Sequence, residues 1–190
     1  MRVFGIDPGS DRTGYGCIDS DGTRHQLVKC GAVRAGSAPT FPDQLSIIYR
    51  ELTALLAEHR PECVAIESIF HAVNARSALK LGHARGVAML AAIEAGVTVV
   101  EYTPAEIKRA VVGYGRAEKP QVAQMVKMLL GLDTIPKPHD ATDALAVAIC
   151  HLHSGNLMQK AVAKAAGPKS QAPSPRSWRN YRPSTRNGSQ

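Results

Sequence analysis

A chain of 190 residues, 44% hydrophobic but only 5% aromatic, has the length of one ordinary domain, or of one domain and a tail, with a sizeable core of small and branched aliphatics. No apolar run approaches the roughly 20 residues that span a bilayer, and MRVFGIDPGS has too short an apolar stretch before its Asp and Pro for a signal peptide. No membrane association and a cytoplasmic location are therefore expected. The formal charge of +7 is concentrated: Lys160, Lys164, Lys169, Arg176, Arg179, Arg182 and Arg186 follow the last acid, Asp143, and the other 16 basic residues are balanced by 16 acidic ones. The four cysteines, Cys17, Cys30, Cys63 and Cys150, form no C-x-x-C or Cys/His cluster, which argues against a disulfide framework or a zinc site.

The first predicted element is a strand at RVFGID (2–7), ended by the turn signal Asp-Pro-Gly. A second strand, GYGCIDS (14–20), closes on Asp21-Gly22, a strong hairpin signal, and HQLVKCGAVRA (25–35) alternates as a third. Residues 42–59 place Leu45, Ile48, Leu52 and Leu55 at helical spacing. CVAIES (63–68) then reads as a buried strand that ends in an acid.

An Ala-rich helix from Ala75 to Ala95, stopped by Gly96, leads to the strand VTVVEY (97–102). TPAE (103–106) is a helix start with Thr as N-cap, Pro at the first position and Glu at the third, so the Glu can reach back to the cap amide. Helices at Lys119–Leu130 and DATDALAVAI (140–149) follow. The order predicts an α/β fold whose first three strands are antiparallel and whose later strands, each reached through a helix, are parallel. Residues 1–157 read as the folded domain. Residues 158–190, poor in large aliphatics and rich in Pro, Ser, Gly, Arg and Lys, read as a basic disordered tail. Such a tail suits an anionic polymer, and Trp178 and Tyr181 among the arginines tilt it towards nucleic acid, although a solubilising tail has the same composition.

Four acids stand at special places. Asp140 and Asp143 share one face of the last helix, being three residues apart. Taken alone they could simply cap it, but Ala144, Leu145, Val147, Ala148, Ile149 and Leu152 leave that helix little solvated face. Asp7 and Glu67 each end an apolar strand. If those strands are neighbours and the helix packs beside their ends, four carboxylates converge with no Arg or Lys next to them in sequence. Such a cluster repels itself and raises its own pKa values. A hard divalent cation relieves this, and two cations about 4 Å apart suit in-line phosphodiester hydrolysis.

GIDPGSDRTGYG, AIESIF followed by SALKLGHARGVA, VVGYGRAEKPQV and HDATDALAVAI, in this order and spacing over residues 1–155, resemble the RuvC family of Holliday junction resolvases. The resemblance implies a ribonuclease H-like fold with a mixed five-stranded sheet flanked by helices, and a homodimer acting on four-way junction DNA. It also implies symmetric paired nicks dependent on Mg2+, two ions per active site with Mn2+ able to substitute, and branch-migration partners RuvA and RuvB. The family's catalytic and metal-binding acids carry over to Asp7, Glu67, Asp140 and Asp143.

Phe70 matches a base-stacking aromatic of the family, and Lys108 and Lys119 match backbone-contacting cations; Arg76, Lys80, Arg85 and Arg116 would extend that DNA-binding surface. A His near the acids in some members gives His139 an auxiliary role in proton transfer. The sequence departs from relatives at Val73, where they carry Lys.

Two other classes share features with this sequence. Actin-like ATPases open with a similar strand, Asp and Gly-rich turn, but need two lobes and a second phosphate loop, whereas this chain has length for one. A non-catalytic junction or duplex DNA-binding module would rely on the tail. Deleting residues 160–190 is expected to weaken DNA affinity and flatten its dependence on salt while cleavage chemistry persists; binding isotherms at several salt concentrations check this.

Overall fold

The computed structural model describes residues 1–68 and 75–165, with side chains up to Ser154. Its elements follow the predicted order: β1 (Arg2–Asp7), β2 (Arg12–Ser20), β3 (His25–Arg34), α1 (Phe41–His59), β4 (Cys63–Glu67), α2 (Ala75–Glu94), β5 (Thr98–Tyr102), α3 (Pro104–Val112), α4 (Lys119–Leu129) and α5 (His139–Ala165). The five strands form one sheet in the order β3-β2-β1-β4-β5. β1, β2 and β3 pair antiparallel, whereas β1–β4 and β4–β5 pair parallel.

Local chemistry explains the boundaries. At the β2–β3 turn Asp21 Oδ1 accepts the amides of Thr23 and Arg24, each at 2.8 Å, and Gly22 takes φ 96°. Gly96, at φ 73°, follows α2 as the sequence signals. The capping box of α3 is complete: the Thr103 amide donates to Glu106 Oε2 at 2.8 Å, and the Glu106 amide donates to Thr103 Oγ1 at 3.3 Å. In α1 the fully covered stripe is Ile48, Leu52 and Leu56, so Leu56 rather than Leu55 continues the core face; Leu45 and Leu55 are half-buried against it. The i, i+4 row follows the core more closely than the row read from the sequence.

Two apolar layers sandwich the sheet. Phe4, Ile6, Cys17, Val64 and Ile66 pack with α1 and α2, while Val3, Ile18 and Ala65 pack with α3, α4 and α5. Side chains alternate along a strand, so Asp7 and Glu67 share the parity of Val3 and Ala65 and turn towards the α5 layer. Among the described residues no helix is long and apolar enough to cross a membrane. Helix α5 continues to Ala165, past residue 158 where the sequence suggests the tail begins, and residues 166–190 lie outside the described part.

Helix α5 lies unusually close to the sheet because the residues beneath it are glycines. A Cβ at Gly5 would come 2.9 Å from Ala148 N and would overlap Ala144 O; one at Gly14 would overlap Asp140 O; one at Gly16 would lie 2.6 Å from Leu145 Cδ2. Backbone cannot give way as a side-chain end can. Gly14→Ala is expected to destabilise the protein by about 1–3 kcal/mol and to displace the first turn of α5; urea unfolding together with a cleavage assay on junction DNA checks both effects.

Candidate active site

Three of the four acids meet at one end of the sheet. In the β1–β4 register Ile6 lies opposite Ile66, which brings Asp7 and Glu67, the next residues, side by side at the strand ends. Helix α5 crosses above them and adds Asp143. Together with Pro104, Ile107, Lys108, Lys119, Val122 and Ala146 they line a cavity of about 100 Å3. The apolar walls come from α3, α4 and α5, so the carboxylates are held partly out of water.

Their electrostatics follow from that placement. Burial is the largest influence on Asp7, followed by the negative charges of Glu67 and Asp143, and its pKa is pushed up to about 8. Glu67 is also raised, chiefly by burial, while a hydrogen bond with Asp7 opposes the rise. The directions place the shared proton on Asp7, which donates to the Glu67 carboxylate. Lys119, the first residue of α4, donates from Nζ to Asp143 Oδ2 at 2.9 Å. Lys119 is itself raised by that contact. No Arg or Lys is adjacent to the acids in sequence, but in space Lys119 and Lys108 both border them.

Asp140 occupies a different position. Helix α5 begins at His139, so Asp140 belongs to its first turn. It lines a separate open groove of about 570 Å3 with Gly9, Ser10, Asp11, Arg12, Ser77, Lys80 and Leu81. The two concavities flank the first turn of α5, one taking Asp143 and the other Asp140. His139 is exposed and lines neither.

The expected DNA-contact residues divide similarly. Lys108 and Lys119 border the acidic cavity, and Lys80 lies in the groove with its Nζ 5.4 Å from the centre of the Phe41 ring. Arg76 and Arg116 are exposed, on the first turn of α2 and before α4. Arg85 is held differently, in an ion pair with Glu101 of β5, which competes with the DNA-facing role suggested for it. Phe70 and Val73 lie outside the described residues. Sequence reasoning did not single out Arg12 or foresee the Lys119–Asp143 contact. Arg12 lies three residues beyond the Asp-Pro-Gly turn, and its loop is pinned by Thr13 Oγ1, which donates to Gly9 O at 2.8 Å.

The donor set fits a hard divalent cation in chemistry: carboxylate oxygens, partly desolvated, one of them forced to keep a proton near neutral pH. Among the described residues, however, no three His, Cys, Asp or Glu side chains already close around one point. The Asp7–Glu67 hydrogen bond and the Lys119 contact neutralise charge there instead.

Comparison with known proteins agrees with this architecture. Residues 3–151 match the family model described as crossover junction endodeoxyribonuclease RuvC. The chain is 52% identical over 166 residues to the protein of that name from Koribacter versatilis, covering 87% of this chain and all of that one. It is 49% identical over 183 residues to the one from Trichlorobacter lovleyi, covering 96% of this chain and all of that one. Among solved structures, Thermus thermophilus RuvC in complex with a Holliday junction substrate superposes with a TM-score of 0.79 at 35% identity, covering 83% of this chain and 96% of that chain. The mixed five-stranded sheet with helices on both faces is accordingly a ribonuclease H-like fold, and the chain belongs to the RuvC family of crossover junction endodeoxyribonucleases.

Proposed function

We propose that this chain is a Holliday junction resolvase, an endonuclease that nicks four-way DNA junctions in recombination and repair, with Asp7, Glu67, Asp140 and Asp143 as its catalytic acids. The observation that carries the reading is the convergence of Asp7, Glu67 and Asp143, from two parallel strand ends and the helix above them, on one cavity bordered by lysines. Family membership supplies the substrate class, and the first turn of α5 links that cavity to the groove that holds Asp140.

The four carboxylates would hold Mg2+, two ions per site with Mn2+ as a substitute. The chemistry supplied there would be activation of a water and stabilisation of the leaving oxygen of a phosphodiester. The protein's own groups do the rest. The walls formed by Ile107, Val122 and Ala146 restrict water around the acids. Lys108 and Lys119 offer positive charge to the phosphate, and Lys119 also fixes the Asp143 carboxylate. Lys80, Arg76 and Arg116 would extend the backbone contacts, and His139, exposed at the start of α5, could assist only at the rim.

Helix α2 supports a homodimer. Leu79 is 65% exposed and Ile93 60% exposed. Leu79 also shares a shallow apolar groove with Ala78, Gly82, Gly86, Val87 and Leu90. A second copy of the chain would bury this face and give the paired active sites that symmetric nicking requires. RuvA and RuvB are the branch-migration partners that follow from family membership, and a cytoplasmic location fits the same role.

Asp143→Asn is expected to keep binding a four-way junction while Mg2+-dependent nicking falls by at least about 100-fold, on the order of 3 kcal/mol of barrier. Gel-shift and cleavage assays on one preparation check this, and a variant that still cuts would remove Asp143 from the mechanism.

Because Asp7 is raised from 3.8 to about 8 in the fold, the native state binds more protons than the unfolded one between those values. Without added metal, stability therefore falls as pH rises from about 4 to about 8. Asp7→Asn removes this contribution, so in chelator it should be more stable than wild type at pH 8 and lose that advantage towards pH 4. Thermal unfolding across the range measures it.

A further inference from the structure

Midway along α5, away from the acids, two histidines from distant parts of the chain face each other. His25 opens β3 and His153 lies ten residues beyond Asp143, about 15 Å along the helix at 1.5 Å per residue. Their Nε2 atoms are 3.4 Å apart. Each ring is held by its other nitrogen: His153 Nδ1 lies 2.8 Å from the carbonyl of Ala110, and His25 Nδ1 lies 2.9 Å from Ser20 Oγ. A carbonyl only accepts, so His153 carries its hydrogen on Nδ1. When neutral, it leaves the Nε2 lone pair aimed at His25.

Two features distinguish this pair from an ordinary hydrogen bond. The separation exceeds the usual N–H acceptor range of about 2.7–3.2 Å. It matches instead the edge of a tetrahedron whose centre lies about 2.0–2.1 Å from each nitrogen, roughly 3.3–3.4 Å, as in zinc–imidazole coordination. The outer nitrogens also have the partners typical of histidine ligands, a backbone carbonyl and a hydroxyl, which fix ring orientation. Ser20 Oγ is in turn anchored by the Gly22 amide at 3.1 Å. Burial and the neighbouring His153 lower the pKa of His25, which keeps its ring in the neutral form that a metal needs.

We propose that His25 and His153 form a bis-imidazole site for a transition-metal ion of the zinc class, separate from the carboxylate centre, which clamps the distal half of α5 to the start of β3. Imidazole pairs prefer Zn2+, Ni2+ or Cu2+ over Mg2+. Among the described residues no third His, Cys, Asp or Glu joins them, so water completes the shell. The role is structural, since the same helix carries Asp140 and Asp143 in its first turns, about 15 Å away.

The test uses the full chain in the presence of saturating Mg2+, so that the carboxylate centre is not the reporter. Zn2+ at about 100-fold above its dissociation constant is expected to raise the unfolding midpoint by about 5–10 °C. His25→Gln and His153→Gln should each abolish that increment while junction cleavage with Mg2+ stays within about twofold of wild type. In the wild-type chain labelled with 15N-histidine, Zn2+ should shift the Nε2 resonances of two of the seven histidines together and to the same end point. That readout holds even if a variant folds poorly. An unchanged midpoint, an increment that survives both substitutions, or no paired Nε2 shift would overturn the proposal and leave a hydrogen bond only.

Discussion

Everything at the active end depends on how closely α5 approaches the sheet. Gly5, Gly14 and Gly16 present bare backbone to Ala144, Ala148, Asp140 and Leu145, so helix and strands meet without intervening side chains. That approach sets the depth at which Asp143 enters the cavity beside Asp7 and Glu67. The apolar length of α5, with Leu145, Val147, Ala148 and Ile149 fully buried, holds the helix there. The helix therefore serves two ends at once. Its core face stabilises the fold, and its first turn carries a charge arrangement that the fold alone would not favour.

That arrangement is costly when bare. Three carboxylates in a partly dry cavity repel one another, and the chain reduces the charge in two ways: a proton retained on Asp7 and an ammonium placed on Asp143 by Lys119. Both are replaceable, since a proton can leave and a lysine on an exposed helix start can turn to another anion. A site that neutralises itself loosely is suited to exchanging those compensations for a divalent cation and a phosphate. The groove on the other side of α5 sets Arg12 and Lys80 beside Asp11 and Asp140, so cations and carboxylates alternate beyond the cavity as well.

Much of this was legible in the sequence, for definite reasons. Asp7 and Glu67 could be placed at strand ends because each closes an apolar run, and Asp140 and Asp143 could be placed on one helix face because three residues make nearly one turn. The TPAE capping box and the Gly96 stop were local, and the structure has both. What could not be read was contact between distant segments. Lys119 meets Asp143 across 24 positions, Arg85 meets Glu101 across 16, and His25 meets His153 across 128. Gly5, Gly14 and Gly16 were legible as strand residues, but not the close approach of α5 that requires them to be small. Asp140 and Asp143, equivalent by spacing, separate because the helix axis passes between two concavities.

A cation site in which a proton on Asp7 and the Lys119 ammonium lower the charge of the buried acids can be measured directly. Titrating Mg2+ into the metal-free protein by calorimetry at pH 7, in buffers of different ionisation enthalpy, counts the protons released on binding. With Asp7 titrating at about 8, close to one proton should leave per site, and Asp7→Asn should release none. Binding of Mg2+ with no proton released from the wild-type chain would contradict the account.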